Sequence, residues 1–271
     1  MKVRKPNFQF EQALPHWSWH REFAQANNAA STTLPQLEPY LNRVMRKAKE
    51  ALPAEQAALI GQIELFIRQE ANHYQQHQRY NETLYRGGYS SLREFEGRLK
   101  ADYERFLHDK SLRFNVAYAE GFESLGIIYA AFFFEQIDDL LEGADIDVAN
   151  LWRWHFAEEF EHRTVCYDVY KALFGKKVFG GYWYRIYGLM YAIWHLGSYG
   201  KRATDYLLAV DRLNMTEPEQ CVSRARAAGY QWRLMSFLLP RVLRIFSPFY
   251  NPRNRRAPRG IEELLASIEA G

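Results

Sequence analysis

The stretch WHFAEEFEH, residues 154–162, sets two histidines and a glutamate four and then three residues apart. On a helix turning about 100° per residue, His155, Glu159 and His162 fall within roughly 60° of one another, so the three side chains can converge on one point. QEANH at 69–73 repeats the theme: Glu70 and His73 are three apart, and His77 follows one turn later on the same face. Imidazole and carboxylate offered together from helical faces are transition-metal donors. Two Glu-x-x-His helices, each opposite a helix carrying one more carboxylate, can hold a pair of ions. Glu38 and Glu123 are the candidates for those single carboxylates. Glu120, one turn from Glu123, is its alternative, and Glu38, set between Pro35 and Pro39, can also be read as an acid favouring the positive end of a helix dipole. Glu158 and Glu161 point about 100° or more away from the shared face. His77 is read as an outer hydrogen-bond partner or a partly exposed residue.

The expected metal is two iron ions, with manganese or a mixed iron–manganese pair as alternatives. Zinc suits the set less well, because structural zinc sites close with four ligands and usually include thiolates. The only cysteines, Cys166 and Cys221, show no CxxC spacing and support neither a zinc knot nor a disulfide framework.

These donors need helices to carry them, and the hydrophobic periodicity supplies them. Leu37, Leu41, Val44, Met45 and Ala48 share one face of a helix over 36–51, which Pro53 closes. A long helix over 54–85 ends at Gly87-Gly88, a shorter one covers about 91–108, and a third long run spans 112–142. The segment 147–173 reads as one more helix, ending near Gly175. Sustained period-two alternation is absent, so the class is all-α. The order of connections is short, long (86–111), short, as in bundles where one connection crosses the bundle end to end.

In an antiparallel pair, residues equally far from the turn lie level. The midpoint of residues 38 and 70 is (38 + 70)/2 = 54, at the Leu52-Pro53-Ala54 turn; that of 123 and 159 is (123 + 159)/2 = 141, beside Gly143. Both hairpins therefore bring a single carboxylate level with the partner helix's Glu-x-x-His pair.

LPQLE (34–38), FIRQEANHYQQHQRYN (66–81), GFES (121–124) and WHFAEEFEHRTVCYDVY (154–170) together resemble the predicted metal-dependent hydrolases of ferritin-like type. The likeness covers roughly residues 30–175, with a fainter echo at FSPFYNP (246–252). It implies a ferritin-like four-helix bundle with additional C-terminal helices. Leu37 and Ser124 stand where that family commonly has glycine and histidine. The order Glu, Glu-x-x-His, Glu, His-x-x-x-Glu-x-x-His also resembles the di-iron arylamine N-oxygenases, whose seven ligands it matches at Glu38, Glu70, His73, Glu123, His155, Glu159 and His162.

Seven protein ligands leave little room for water and a scissile group together. The favoured expectation is therefore O2-dependent oxidation of a small or lipid-like substrate, which also requires an electron donor. Hydrolysis by metal-activated water is the alternative, and metal storage without turnover is the third reading.

The whole chain has 271 residues, 48% hydrophobic, and a formal charge of +3. That balance gives no case for nucleic-acid binding. The expected organisation is a metal-binding bundle over 1–175 and an aromatic, Arg-rich helical extension over 176–271. Residues 224–259 hold nine Arg and no Asp or Glu, and a helix over 232–246 would carry Arg233, Arg241 and Arg244 as a stripe beside apolar residues. Such a helix suits either an anionic membrane surface or packing against the bundle. With no secretory signal and no membrane-spanning run, a cytoplasmic protein is expected, peripheral on the inner membrane face if that surface is used.

Overall fold

The computed structural model describes residues 1–175 and 178–270, and among these every regular element is helical. The chain opens with a segment without regular structure over residues 1–20 and then forms α1 (Arg21–Ser31) and α2 (Leu34–Ala51). A turn containing Leu52 and Pro53 leads into α3 (Ala57–Arg86). The long connection carries α4 (Leu92–Asp109), and α5 (Leu112–Glu135) follows. After α6 (Asp138–Leu141) come α7 (Ile146–His162), α8 (Val165–Phe174), α9 (Val178–Arg212), α10 (Glu217–Ile245) and α11 (Ile261–Ala270).

Helices α2 and α3 pack along one another across the expected proline turn, and α5 packs along α7 across a turn closed by Gly143, whose φ of 65° suits glycine. The two pairs meet through α2 against α5 and α3 against α7 and α8. On α3 the inward positions are Ile63, Phe66, Glu70, His73, His77, Tyr80 and Leu84, all buried. Their alternating steps of three and four are those of a core seam, yet its middle is polar. Apolar periodicity builds the two ends, and the chemistry occupies the centre.

Three expectations change. The N-terminal helix α1 was not expected: its buried face includes Gln25, Asn27 and Asn28, so it lacks a clear apolar stripe. The run 112–142 is broken after Glu135, where Gln136 caps α5 and α6 begins a separate turn. The run 147–173 is broken after His162. There Arg163 stacks over the Phe160 ring and donates from Nη1 to the Phe160 carbonyl at 2.7 Å, providing a partner that a continuing helix would supply from the backbone.

The C-terminal helices lie against the same core. Helix α9 packs closely on α5, where Gly121 and Gly188 let the backbones approach: a Cβ on Gly188 would stand 2.6 Å from Ala117, and one on Gly121 2.7 Å from Leu189. Helix α10 rests on α5 and α1 through Leu234, Phe237, Leu238 and Ile245. The expected arginine stripe is only partly free. Arg233 pairs with Asp139, Arg241 lies over the Phe237 ring, and Arg244 is exposed. The boundary expected at 175/176 abuts residues 176 and 177, outside the described residues. No helix among the described residues is long and apolar enough to cross a membrane.

Candidate metal centre

Helix α2 brings Glu38, α3 brings Glu70 and His73, α5 brings Glu123, and α7 brings His155, Glu159 and His162 to the middle of the molecule. Two groups form, Glu38–His73–His155–Glu159 and Glu70–Glu123–Glu159–His162, each with ligand atoms all within 4.8 Å of one another. All seven residues singled out from the sequence are present, and no other residue enters either group. Glu159 belongs to both. Its Oε1 lies 3.4 Å from His155 Nε2 and 4.0 Å from His73 Nδ1, while Oε2 lies 3.4 Å from His162 Nε2. His162 Nε2 is also 3.2 Å from Glu70 Oε1 and 3.3 Å from Glu123 Oε2. His155 Nδ1 stands 3.8 Å from Glu38 Oε1.

The site fits cations on three counts. Both oxygens of Glu38, Glu70, Glu123 and Glu159 are buried without a hydrogen-bond partner, as are His73 Nδ1, His155 Nδ1 and His162 Nε2. Buried polar atoms left this way are strongly disfavoured unless something else satisfies them. Second, none of the four carboxylates pairs with an arginine or lysine among the described residues, whereas each neighbouring buried acid does: Glu158 with Arg4 at 3.0 Å and Glu120 with Arg185 at 3.1 Å. Four uncompensated carboxylates match the charge of two divalent ions. Third, a Cβ on Gly126 would stand 2.8 Å from Glu159 Oε2, so the absence of a side chain there makes room for the shared carboxylate.

Titration behaviour follows from the same crowding. Burial, then the charges of Glu70, Glu159 and Glu123, push Glu38 well above the usual carboxylate range. Burial and Glu159 raise Glu70 and Glu123 as well. Burial would also raise Glu159, but His162, His155 and His73 around it outweigh that and hold it low. Burial, reinforced by the His73 charge, drops His155 to about 3.

An outer layer orients these donors. His73 Nε2 sits 3.0 Å from Glu158 Oε2, which leaves Nδ1 facing the cluster, and His162 Nδ1 sits 3.2 Å from Gln69 Oε1, which leaves Nε2 facing it. The two branches meet: Arg4 Nη1 donates to Glu158 Oε1 at 3.0 Å and to Glu161 Oε2 at 3.1 Å, and Gln69 Nε2 donates to that same Glu161 oxygen at 2.7 Å. The N-terminal segment holds Arg4 there. Its carbonyls at Lys2, Arg4, Pro6 and Phe8 accept from Gln69, Asn72, Gln76 and Arg79 along α3.

Sequence reasoning missed Arg4, Gln69 and Gly126. Arg4 lies in a segment without periodicity, and Gln69, beside Glu70, stood one position off the ligand face. Glu158 does leave the ligand face, as its angle required, and serves from behind. Glu120, the alternative to Glu123, enters neither group; Arg185 and Ser124 occupy its Oε1. Ser124 also accepts from Tyr250 of the FSPFYNP turn at 3.0 Å. His77 is fully buried, with Nδ1 2.9 Å from Ser31 Oγ and its ring edge-on to His155. Cys166 and Cys221 are free thiols, and burial and the nearby carboxylates push Cys166 well above its usual range, so it stays a neutral thiol.

Comparison with curated proteins and with solved structures finds no match. A family comparison does, and its span runs past the expected 30–175 to take in both the N-terminal segment with Arg4 and the turn with Tyr250. Over residues 2–256 the chain matches the family described as predicted metal-dependent hydrolase, and it belongs to that family.

Proposed function

We propose that this chain is a ferritin-like, dinuclear metal-dependent hydrolase in which each of the two buried groups would hold one ion, with Glu159 common to both groups. One observation carries the reading: the buried donor atoms of all seven residues face a common centre without hydrogen-bond partners. Glu38, His73 and His155 would hold one ion, and Glu70, Glu123 and His162 the other. Bound there, divalent ions supply Lewis acidity, which lowers the pKa of water toward neutrality and polarises a scissile bond. Glu158 and Gln69 engage His73 Nε2 and His162 Nδ1, so each imidazole turns its other nitrogen toward the centre, where it would be available to an ion. Trp154, edge-on to His73 with ring centroids 4.8 Å apart, and Phe66, likewise against His162, keep bulk water from the donors.

Family membership supports hydrolysis over the oxidation favoured from the ligand order alone. Oxidation stands as the second reading because the donor set is thiolate-free and rich in carboxylate, which suits redox-active iron or manganese as well. The two are separated by loading the metal-free protein with zinc or manganese under strict anaerobiosis and screening ester, amide and phosphoester substrates. Turnover without oxygen is expected. Turnover only with ferrous iron, accompanied by oxygen consumption, would overturn hydrolysis in favour of oxidation.

A further inference from the structure

Two helices outside the metal centre turn apolar side chains toward solvent. On α10, Trp232, Met235, Leu239 and Leu243 are all exposed, Trp232 by 77% and Leu243 by 62%, and helical rotation places the four within about 80° of one another. That stripe lies opposite the buried Leu234, Phe237, Leu238 and Ile245, so α10 is apolar on both faces. Phe249, just beyond the helix, is 89% exposed. On α9, Trp183, Tyr187, Met190 and Trp194 form a second exposed stripe within about 60°. Tyr182 donates to the Phe246 carbonyl and Arg185 to the Ile245 carbonyl at 2.6 Å, so the start of α9 lies beside the end of α10. Exposed apolar stripes of this kind mark a surface that something covers.

Charge selects the occupant. Residues 178–204 and 224–259 contain no Asp or Glu. Arg233 and Arg253 are taken up by Asp139 and Asp168, but Arg224, Arg226, Arg244, Arg256 and Arg259 are exposed and make no ion pair among the described residues. A second copy of the chain laid on this surface would set arginine against arginine. An anionic bilayer supplies both an acyl boundary for the tryptophans and phosphates for the arginines. We propose that the outer faces of α9 and α10 lie on an anionic lipid surface, an inference independent of the metal chemistry. The protein would rest on the bilayer without crossing it, since none of its described helices suits a span.

The test is co-sedimentation of the full chain with phosphatidylcholine vesicles, with and without phosphatidylserine, at low and high salt. The parent should bind the anionic vesicles, weaken as salt rises, and retain a residual apolar component at high salt. Arg244→Gln with Arg256→Gln should lower partitioning about 25-fold at low salt, about fivefold per arginine, the equivalent of about 1 kcal/mol each. Leu239→Ser, Leu243→Ser and Phe249→Ser together should abolish the salt-resistant component. All five side chains are exposed, and circular dichroism of each variant should show its helices kept. Failure of the parent to sediment with anionic vesicles at low salt would overturn the proposal. So would a parent dimer that the apolar variant converts to monomer, with vesicle binding equal in all three proteins.

Discussion

Glu158 and Glu159 are neighbours in sequence, both fully buried, and they differ in what neutralises them. Glu158 has the Arg4 guanidinium, whereas Glu159 has only imidazoles and other carboxylates. The same contrast separates Glu120, paired with Arg185, from Glu123, so the acids that have no protein cation are those left for metal. The spacing of HxxxExxH and ExxH made the clustered donors legible, because one helix carries each set. Arg4 was not legible: it reaches Glu158 across 154 residues of chain, and no local pattern reports such a contact. Arg4→Ala should leave Glu158 buried without its cationic partner and loosen the hold on His73. Metal affinity, read by competition with a chromophoric chelator, should fall about 10- to 100-fold, the usual effect of removing an outer partner of a ligand. Arg4→Lys should recover part of it. An Arg4→Ala protein with parental affinity would place Arg4 outside the site's support.

Helices were legible wherever one face was apolar, and the midpoint rule worked because residues 54 and 141 lie at the middle of the connections 52–56 and 136–145. The breaks at residues 136 and 163 were not, since each is met by a contact distant in sequence: Arg233 donates to the Gln136 carbonyl and Arg163 Nε to the Pro252 carbonyl at 3.3 Å. The close approach of α5 and α9 at Gly121 and Gly188 was equally hidden, because a glycine gives no sign in sequence of what it lies against. Helix α4, the middle of the crossover, is tied to α3 by Tyr85, whose hydroxyl donates to Glu96 Oε1 at 2.6 Å. Burial pushes Glu96 up from 4.5 to about 7, outweighing the help of Tyr85 and Arg93. A carboxyl raised on folding binds its proton more tightly in the native state. Its favourable contribution is therefore complete below about pH 4.5 and is lost as pH rises through about 7. Glu96→Gln keeps an acceptor for Tyr85 and removes the titration. Thermal unfolding midpoints of parent and variant, compared from pH 5 to pH 8, should diverge as pH rises, with the variant the more stable at pH 8. Parallel curves would contradict this assignment.

At the scale of the whole molecule, an apolar shell surrounds a centre of four carboxylates and three histidines. Without cations such a centre opposes folding, because buried like charges repel and have lost their water. Two ions bound there would make it the point where α2, α3, α5 and α7 are joined. The C-terminal helices add the exposed tryptophan stripes, at a distance in sequence from every residue of that centre. The most direct test of the account is metal content per chain, measured by elemental analysis after reconstitution of the metal-free protein with excess ferrous or manganous ion and desalting. Two ions per chain are predicted for the parent. Glu38→Ala and Glu70→Ala should each lose most of one ion, and Glu159→Ala, which removes the carboxylate shared by both groups, most of both. A parent that retains no metal, or a Glu159→Ala protein as metal-replete as the parent, would contradict the dinuclear centre.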